Sequence, residues 1–117
     1  MKSLTFFAIL AMLGLLSSCA HIDPHPMDMT SAIREAKTKE DHNALARHYE
    51  AAANAMQAKA NEQKRCLAEY QKHGYYYGRK TIDVKEHAQA LVHVYEEAAE
   101  ANMSMAKSHR RMAEEIR

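Results

Sequence analysis

Apolar and small side chains recur every three or four positions from about residue 38 to the end of the chain. This spacing is typical of an amphipathic α-helix, and it is interrupted once, at segment 73–78 with the sequence HGYYYG. We therefore predict two long helices joined by a short connection. The first predicted apolar stripe comprises Leu45, Tyr49, Ala52, Met56, Cys66 and Tyr70, and the second comprises Val84, Ala88, Leu91, Tyr95, Ala98, Asn102, Met105, His109, Met112 and Ile116.

Several residues suit the ends of these helices. Thr38 and the acid three residues later resemble a capping box, whereas Thr30 or Ser31 can cap an earlier turn. The first helix therefore begins near residue 30 and bends near 38, or begins at 38. Gly74 suits the left-handed conformation just past a helix end, and the hydroxyl of Thr81 suits the start of the second helix.

Two long helices with a short connection must run antiparallel. Each spans about 35 residues, which corresponds to a length of ~50 Å. The fold class is therefore all-α, with one long antiparallel two-helix hairpin. The halves also match when shifted by 46 residues, which we interpret as an internal repeat. Leu45, Tyr49, Glu50, Ala52, Ala53, Ala55, Ala60, Arg65 and Glu69 then fall on Leu91, Tyr95, Glu96, Ala98, Ala99, Ala101, Ala106, Arg111 and Glu115.

The contact between the two helices is rich in alanine, so it buries little apolar area per residue. Small domains with weak cores usually need help from oligomerisation. We therefore expect two hairpins to pair as a homodimer in the form of a four-helix bundle.

The chain begins with the three parts of a secretory signal peptide. A short charged start precedes an apolar run at residues 4–16, which is too short for a membrane span of ~20 residues, and Ser17 and Ser18 follow it. Both prolines lie in the segment that comes next. We divide the chain into a signal peptide (1–18), a tether (19–29) and a helical hairpin domain (30–117).

The segment Leu16-Ser17-Ser18-Cys19 resembles the lipobox of bacterial lipoproteins, which are cleaved by the type II signal peptidase. The resemblance implies that Cys19 becomes the first mature residue and carries acyl chains such as palmitate. An ordinary signal peptide followed by a chance cysteine is the alternative. Ala20 stands where the family's inner-membrane retention signal is usually Asp. The implied location is the outer membrane, facing the periplasm, in a Gram-negative host.

Three short segments of the mature part are distinctive: 41–42 (DH), 45–50 (LARHYE) and 95–99 (YEEAA). In these segments the chain is similar to small helical-hairpin lipoproteins of Gram-negative bacteria. Such proteins have no assigned activity as a family. The resemblance therefore implies a fold and a location, and it assigns no functional residue.

The charge balance and the absence of catalytic motifs reduce the number of function classes that fit this sequence. Once the signal peptide with Lys2 is removed, 15 basic and 15 acidic side chains remain, without a block of like charge. Nucleic-acid binding needs a basic stripe, so we do not expect it. The sequence holds no phosphate loop, nucleophile elbow or zinc-protease motif. We predict a non-enzymatic protein without a cofactor, with a structural or interaction role toward an envelope partner.

The alternative function is a periplasmic metal carrier, because the mature part holds eight histidines and six methionines. Imidazole and thioether groups both suit copper, and haem iron accepts the same ligands. An antiparallel hairpin brings His42, Met105, His109 and Met112 to the end away from the connection. In this register His109 faces Leu45, while His42 faces Met112. The other interpretation is that these residues only fill the contact between the helices.

A second group lies near the connection. The same register brings Cys66, His73 and His87 near Tyr70. Cys66 is the only thiol left after lipidation, so it is a buried apolar residue, a partner in an intermolecular disulfide, or a metal ligand. The tyrosines at 75–77 either form an exposed contact surface or fold back over the helix ends. The tether residues His21, His25, Met27 and Met29 resemble a loose copper-binding segment.

Overall fold

The computed structural model describes residues 28–117. Helix α1 spans Met29–Glu35, α2 spans Lys39–Lys72, a 3-10 turn covers Gly74–Tyr76, and α3 spans Lys80–Glu115. Helices α2 and α3 pack against each other over their length, and α1 contacts α2. The predicted all-α hairpin is confirmed. The signal peptide, Cys19 and most of the tether lie outside the described residues.

Side-chain caps set the break between α1 and α2. Asp28 caps α1 by accepting hydrogen bonds from the backbone N–H groups of Thr30 and Ser31, so neither of these two residues is the cap. Thr38 and Asp41 form the predicted capping box, with the Asp41 amide 3.1 Å from the Thr38 hydroxyl. The backbone N–H groups of residues 37 and 38 stabilise the carboxylate of Asp41 and lower its pKa. The chain therefore starts a helix before residue 30 and starts a new one after Thr38.

Alanine at every seventh position forms the centre of the contact between α2 and α3. Such a heptad spacing is the signature of a coiled coil, and small side chains let two helix axes approach closely. The predicted stripes are confirmed at Leu45, Ala88 and His109, which are buried. They missed the alanine series, beside which Tyr49 and Met56 are only half-buried. The buried alanines of these two series are Ala46, Ala53 and Ala60 in α2 and Ala99, Ala106 and Ala113 in α3.

Two ion pairs cross the hairpin in a symmetric arrangement. Glu50 of α2 pairs with Arg110 of α3, and Lys64 of α2 pairs with Glu96 of α3 at 2.6 Å. The shift that relates the two sequence repeats places Glu96 at the position of Glu50 and Arg110 at that of Lys64. A two-fold rotation that exchanges the helices therefore exchanges the two ion pairs. The internal repeat seen in the sequence has a counterpart in the contacts between the helices.

The connection uses its glycines differently from the prediction. Gly78, with a φ of 55°, adopts the left-handed conformation, whereas Gly74 does not. Gly74 lies so close to Thr81 that an added Cβ would come within 2.7 Å of the threonine methyl group. The hydroxyl of Thr81 donates a hydrogen bond to the Gly74 carbonyl rather than capping α3. Gly74 is therefore needed for this close approach.

An apolar stripe on α3 faces outward. Val94, Met105 and Met112 are 55 %, 42 % and 45 % exposed, and their spacing places them on one side of the helix, beside the alanine series. Both methionines therefore lie outside the buried contact that the sequence predicted for them. Within residues 28–117, no helix combines the length and apolar character needed to cross a membrane.

Candidate functional site: a histidine pair at the open end of the hairpin

The first turn of α2 and the last turns of α3 bring two histidines together. His42 lies just after the capping box, and His109 lies between the buried alanines Ala106 and Ala113. Their Nδ1 atoms are 3.1 Å apart. The sequence correctly placed both residues at this end of the hairpin, but it expected Met112 rather than His109 to face His42.

The two imidazole rings meet edge to edge and in line. Their centroids are 5.4 Å apart and their planes differ by 25°. The Nδ1 atoms are 3.1 Å apart. This gap and the distance from each centroid to its own Nδ1 together account for the whole separation of the centroids. Each nitrogen therefore lies on the line that joins the two centroids. One imidazole then donates its Nδ1–H while the other accepts, so the two neutral histidines adopt opposite tautomers.

Aromatic neighbours cover His109. The side chain of Tyr49 lies parallel to the imidazole of His109, with centroids 5.7 Å apart and an angle of 7°. His48 in turn contacts the edge of Tyr49, and His109 is only 6 % exposed. Burial, and secondarily the charge of His42, lowers the pKa of His109. The neutral form with a free nitrogen lone pair is therefore favoured at this position.

The other members of the predicted metal set are placed differently. Met105 and Met112 are nearly half exposed on the face beside His109. In the described part of the chain, no cluster of three or more His, Cys, Asp or Glu side chains is arranged to hold a metal ion. The structure thus places the two histidines in contact, while coordination of a metal ion by the two methionines stays a prediction.

The predicted group near the connection is dispersed. Tyr70 and His87 line one shallow cleft between α2 and α3, whereas His73 contacts Glu69 and the rings of Tyr75 and Tyr76. Cys66 is a free, half-buried thiol. A disulfide from Cys66 to another molecule stays a prediction. Cys19, His21 and His25 lie outside the described residues.

The three tyrosines of the connection, which we call the tyrosine tip, divide into two kinds. Tyr75 and Tyr76 are 71 % and 72 % exposed, and their ring centroids are 4.1 Å apart. Tyr76 also raises the pKa of Tyr75 through a hydrogen bond. Tyr77 instead packs edge-on against Tyr70 at 5.6 Å. Two of the tyrosines therefore face solvent, and the third folds back on the hairpin.

The geometry of the histidine pair could not be read from a motif, because its members lie on different helices and share no local spacing. The signals in the sequence were the capping box that starts α2 and the antiparallel connection. Comparison with known protein families, curated proteins and solved structures found no match for this chain.

Proposed function

We propose that this chain is a non-enzymatic envelope lipoprotein with an interaction role. Acyl chains on Cys19 hold it at the periplasmic face of the outer membrane, and the hairpin presents its tyrosine tip to a partner. The lipobox-like segment 16–19 supports the anchor. The two helices support the presentation, because 34 residues of α2 place the tip ~50 Å from the start of that helix.

The observation that carries the proposal is the exposure of Tyr75 and Tyr76, which are 71 % and 72 % accessible at the far end of the hairpin. Tyrosine offers a large apolar ring with a polar end, and few rotatable bonds are frozen when it binds. For this reason tyrosine is enriched where proteins contact each other. Both rings are available for such a contact.

The charge around the tip indicates the kind of partner. Segment 70–82 contains Lys72, Arg79 and Lys80 and no acidic residue. Opposite charge on the partner accelerates association and selects the correct orientation. The partner we propose is therefore an envelope protein with an acidic surface that accepts the two tyrosine rings.

A photo-crosslinking amino acid at position 76, in the lipidated chain in intact cells, tests this proposal. We expect one discrete crosslinked protein, which disappears when Arg79 and Lys80 are both changed to Glu. The matched control is the same crosslinker at position 62, which is exposed in the middle of α2. Equal crosslinking from both positions, or lipid adducts alone from position 76, would contradict the proposal.

A further inference from the structure

The histidine pair holds two nitrogen donors that aim at one point between two helices. His42 comes from α2 and His109 from α3, and their Nδ1 atoms are 3.1 Å apart on the line that joins the ring centres. That gap accommodates a single shared proton as N–H···N. A cation that binds two ligands in a straight line would use the same two lone pairs.

We propose that His42 and His109 bind one Cu(I) ion through their Nδ1 atoms, as a linear two-coordinate site that links α2 to α3. The ion takes the place of the shared proton, which shifts to Nε2 of the donor ring, so that both Nδ1 lone pairs face the ion. The site is independent of the proposed interaction role, because the tyrosine tip lies at the opposite end of the hairpin.

The distances fit a small adjustment of the pair. Imidazole–metal bonds are about 2.0 Å long, so a linear site separates its two nitrogens by about 4 Å. The present separation is 3.1 Å, so the nitrogens must move apart by about 0.9 Å. His42 is only half-buried, which leaves its side chain room to withdraw while His109 stays fixed beside Tyr49.

The number of donors favours a monovalent ion. Zinc completes its coordination with three or four protein ligands, and Cu(II) prefers a tetragonal set. In residues 28–117 no third His, Cys, Asp or Glu gathers with the pair. Asp41, the acid next to His42, is already engaged by the backbone amides of Lys37 and Thr38. A d10 ion such as Cu(I), which forms linear two-coordinate complexes, matches this donor set.

The environment of His109 prepares it as a ligand. His109 is only 6 % exposed, so the packed side chains around it hold its ring in place. The parallel ring of Tyr49, 5.7 Å away, covers one side of the imidazole. Such contacts orient a ligating histidine before the metal arrives.

Anaerobic titration of the lipidated full chain in detergent tests the site, with Cu(I) delivered from a coloured Cu(I) chelator. We expect one ion per chain. His42→Ala and His109→Gln should each weaken binding by about tenfold or more, because one of two metal–nitrogen bonds is lost. His93→Ala is the matched control, since this exposed histidine lies elsewhere on α3, and it should leave binding unchanged.

If circular dichroism shows that a variant has lost helical structure, two further measurements still test the site. Cu(I) should raise the melting temperature of the unaltered chain but not that of His42→Ala, because a ligand of the native state stabilises it. X-ray absorption should show two nitrogen neighbours at about 2 Å and no sulfur.

Several outcomes would overturn the site. Binding that is unchanged in His42→Ala, or that disappears in a His21→Ala/His25→Ala variant, places the ion elsewhere. Loss of binding on Met105→Leu or Met112→Leu, or sulfur in the absorption spectrum, excludes the two-nitrogen geometry. If the chain binds Zn(II) more tightly than Cu(I), the site is not selective for a monovalent ion, and the proposal is wrong.

Discussion

His109 lies almost fully buried against His42, with the two Nδ1 atoms facing each other at 3.1 Å. The side chains that contact His109 are those of His42 and Tyr49, both from α2. Neither of them is a carboxylate that could stabilise a protonated His109. The folded chain therefore resists protonation at this position.

The lowered pKa of His109 predicts that the metal-free protein loses stability in weak acid. An unfolded histidine titrates near 6.5, and the folded His109 titrates below that value. As the pH falls through 6.5 toward the lower pKa, the unfolded state binds more protons than the folded state, so the free energy of unfolding decreases. Urea unfolding between pH 5 and pH 8 measures this slope. His109→Gln should flatten it, and an equal slope in that variant would rule out His109 as the cause.

The hairpin itself was predictable, because both of its signals are local. A period of three or four over more than thirty residues indicates a long helix, and one interruption rich in glycine and tyrosine marks the connection. The centre of the contact was harder to predict. Large residues such as Tyr49 and Met56 define an apparent stripe, but the closest approach of two helices selects small ones such as Ala53 and Ala60.

The difficulty of predicting which side chains face each other also affected the prediction of the histidine site. The sequence placed His109 opposite Leu45, whereas it contacts His42 and Tyr49. One residue along a helix rotates the side chain by about 100°. The identity of the facing residue thus depends on the close packing of the alanines, which the spacing of apolar residues does not encode.

The alanine series predicts a strong dependence on side-chain size. Ala106 is 1 % exposed where α2 and α3 approach each other. Ala106→Leu should lower the free energy of unfolding by about 1–3 kcal/mol, because the larger side chain forces the helices apart. The matched control is Ala101→Leu, since Ala101 is exposed on the same helix. Thermal melting measures the stability of both variants. Equal melting temperatures would argue against a close-packed contact at Ala106.

The symmetry of the two ion pairs predicts matched, small effects. Glu50→Gln and Glu96→Gln should each lower the free energy of unfolding by no more than ~1 kcal/mol, since solvent screens charges that are this exposed. The two losses should be similar and should shrink in high salt. Chemical unfolding at low and high salt measures both. A loss several times larger in one variant would show that the repeats are not equivalent.

The outward stripe on α3 predicts how two chains meet. Val94, Met105 and Met112 offer apolar area beside the hairpin contact, which a second copy can cover in the expected four-helix bundle. Val94→Asp should convert a dimer into a monomer without loss of helix, as measured by sedimentation and circular dichroism. Ser104→Asp introduces the same charge at an exposed position on another face and should stay dimeric. A monomeric unaltered chain would remove the predicted dimer.

The anchor predicted at Cys19 can be separated from the hairpin by one substitution. Cys19→Ser removes the thiol that the lipobox resemblance assigns to acylation. Because this thiol is the proposed site of the acyl chains, the variant should lose palmitate labelling. Cys66→Ser, which alters the half-buried thiol of α2, should keep the label. Label retained in the Cys19→Ser protein would place the acyl group elsewhere and remove the basis for an outer-membrane location.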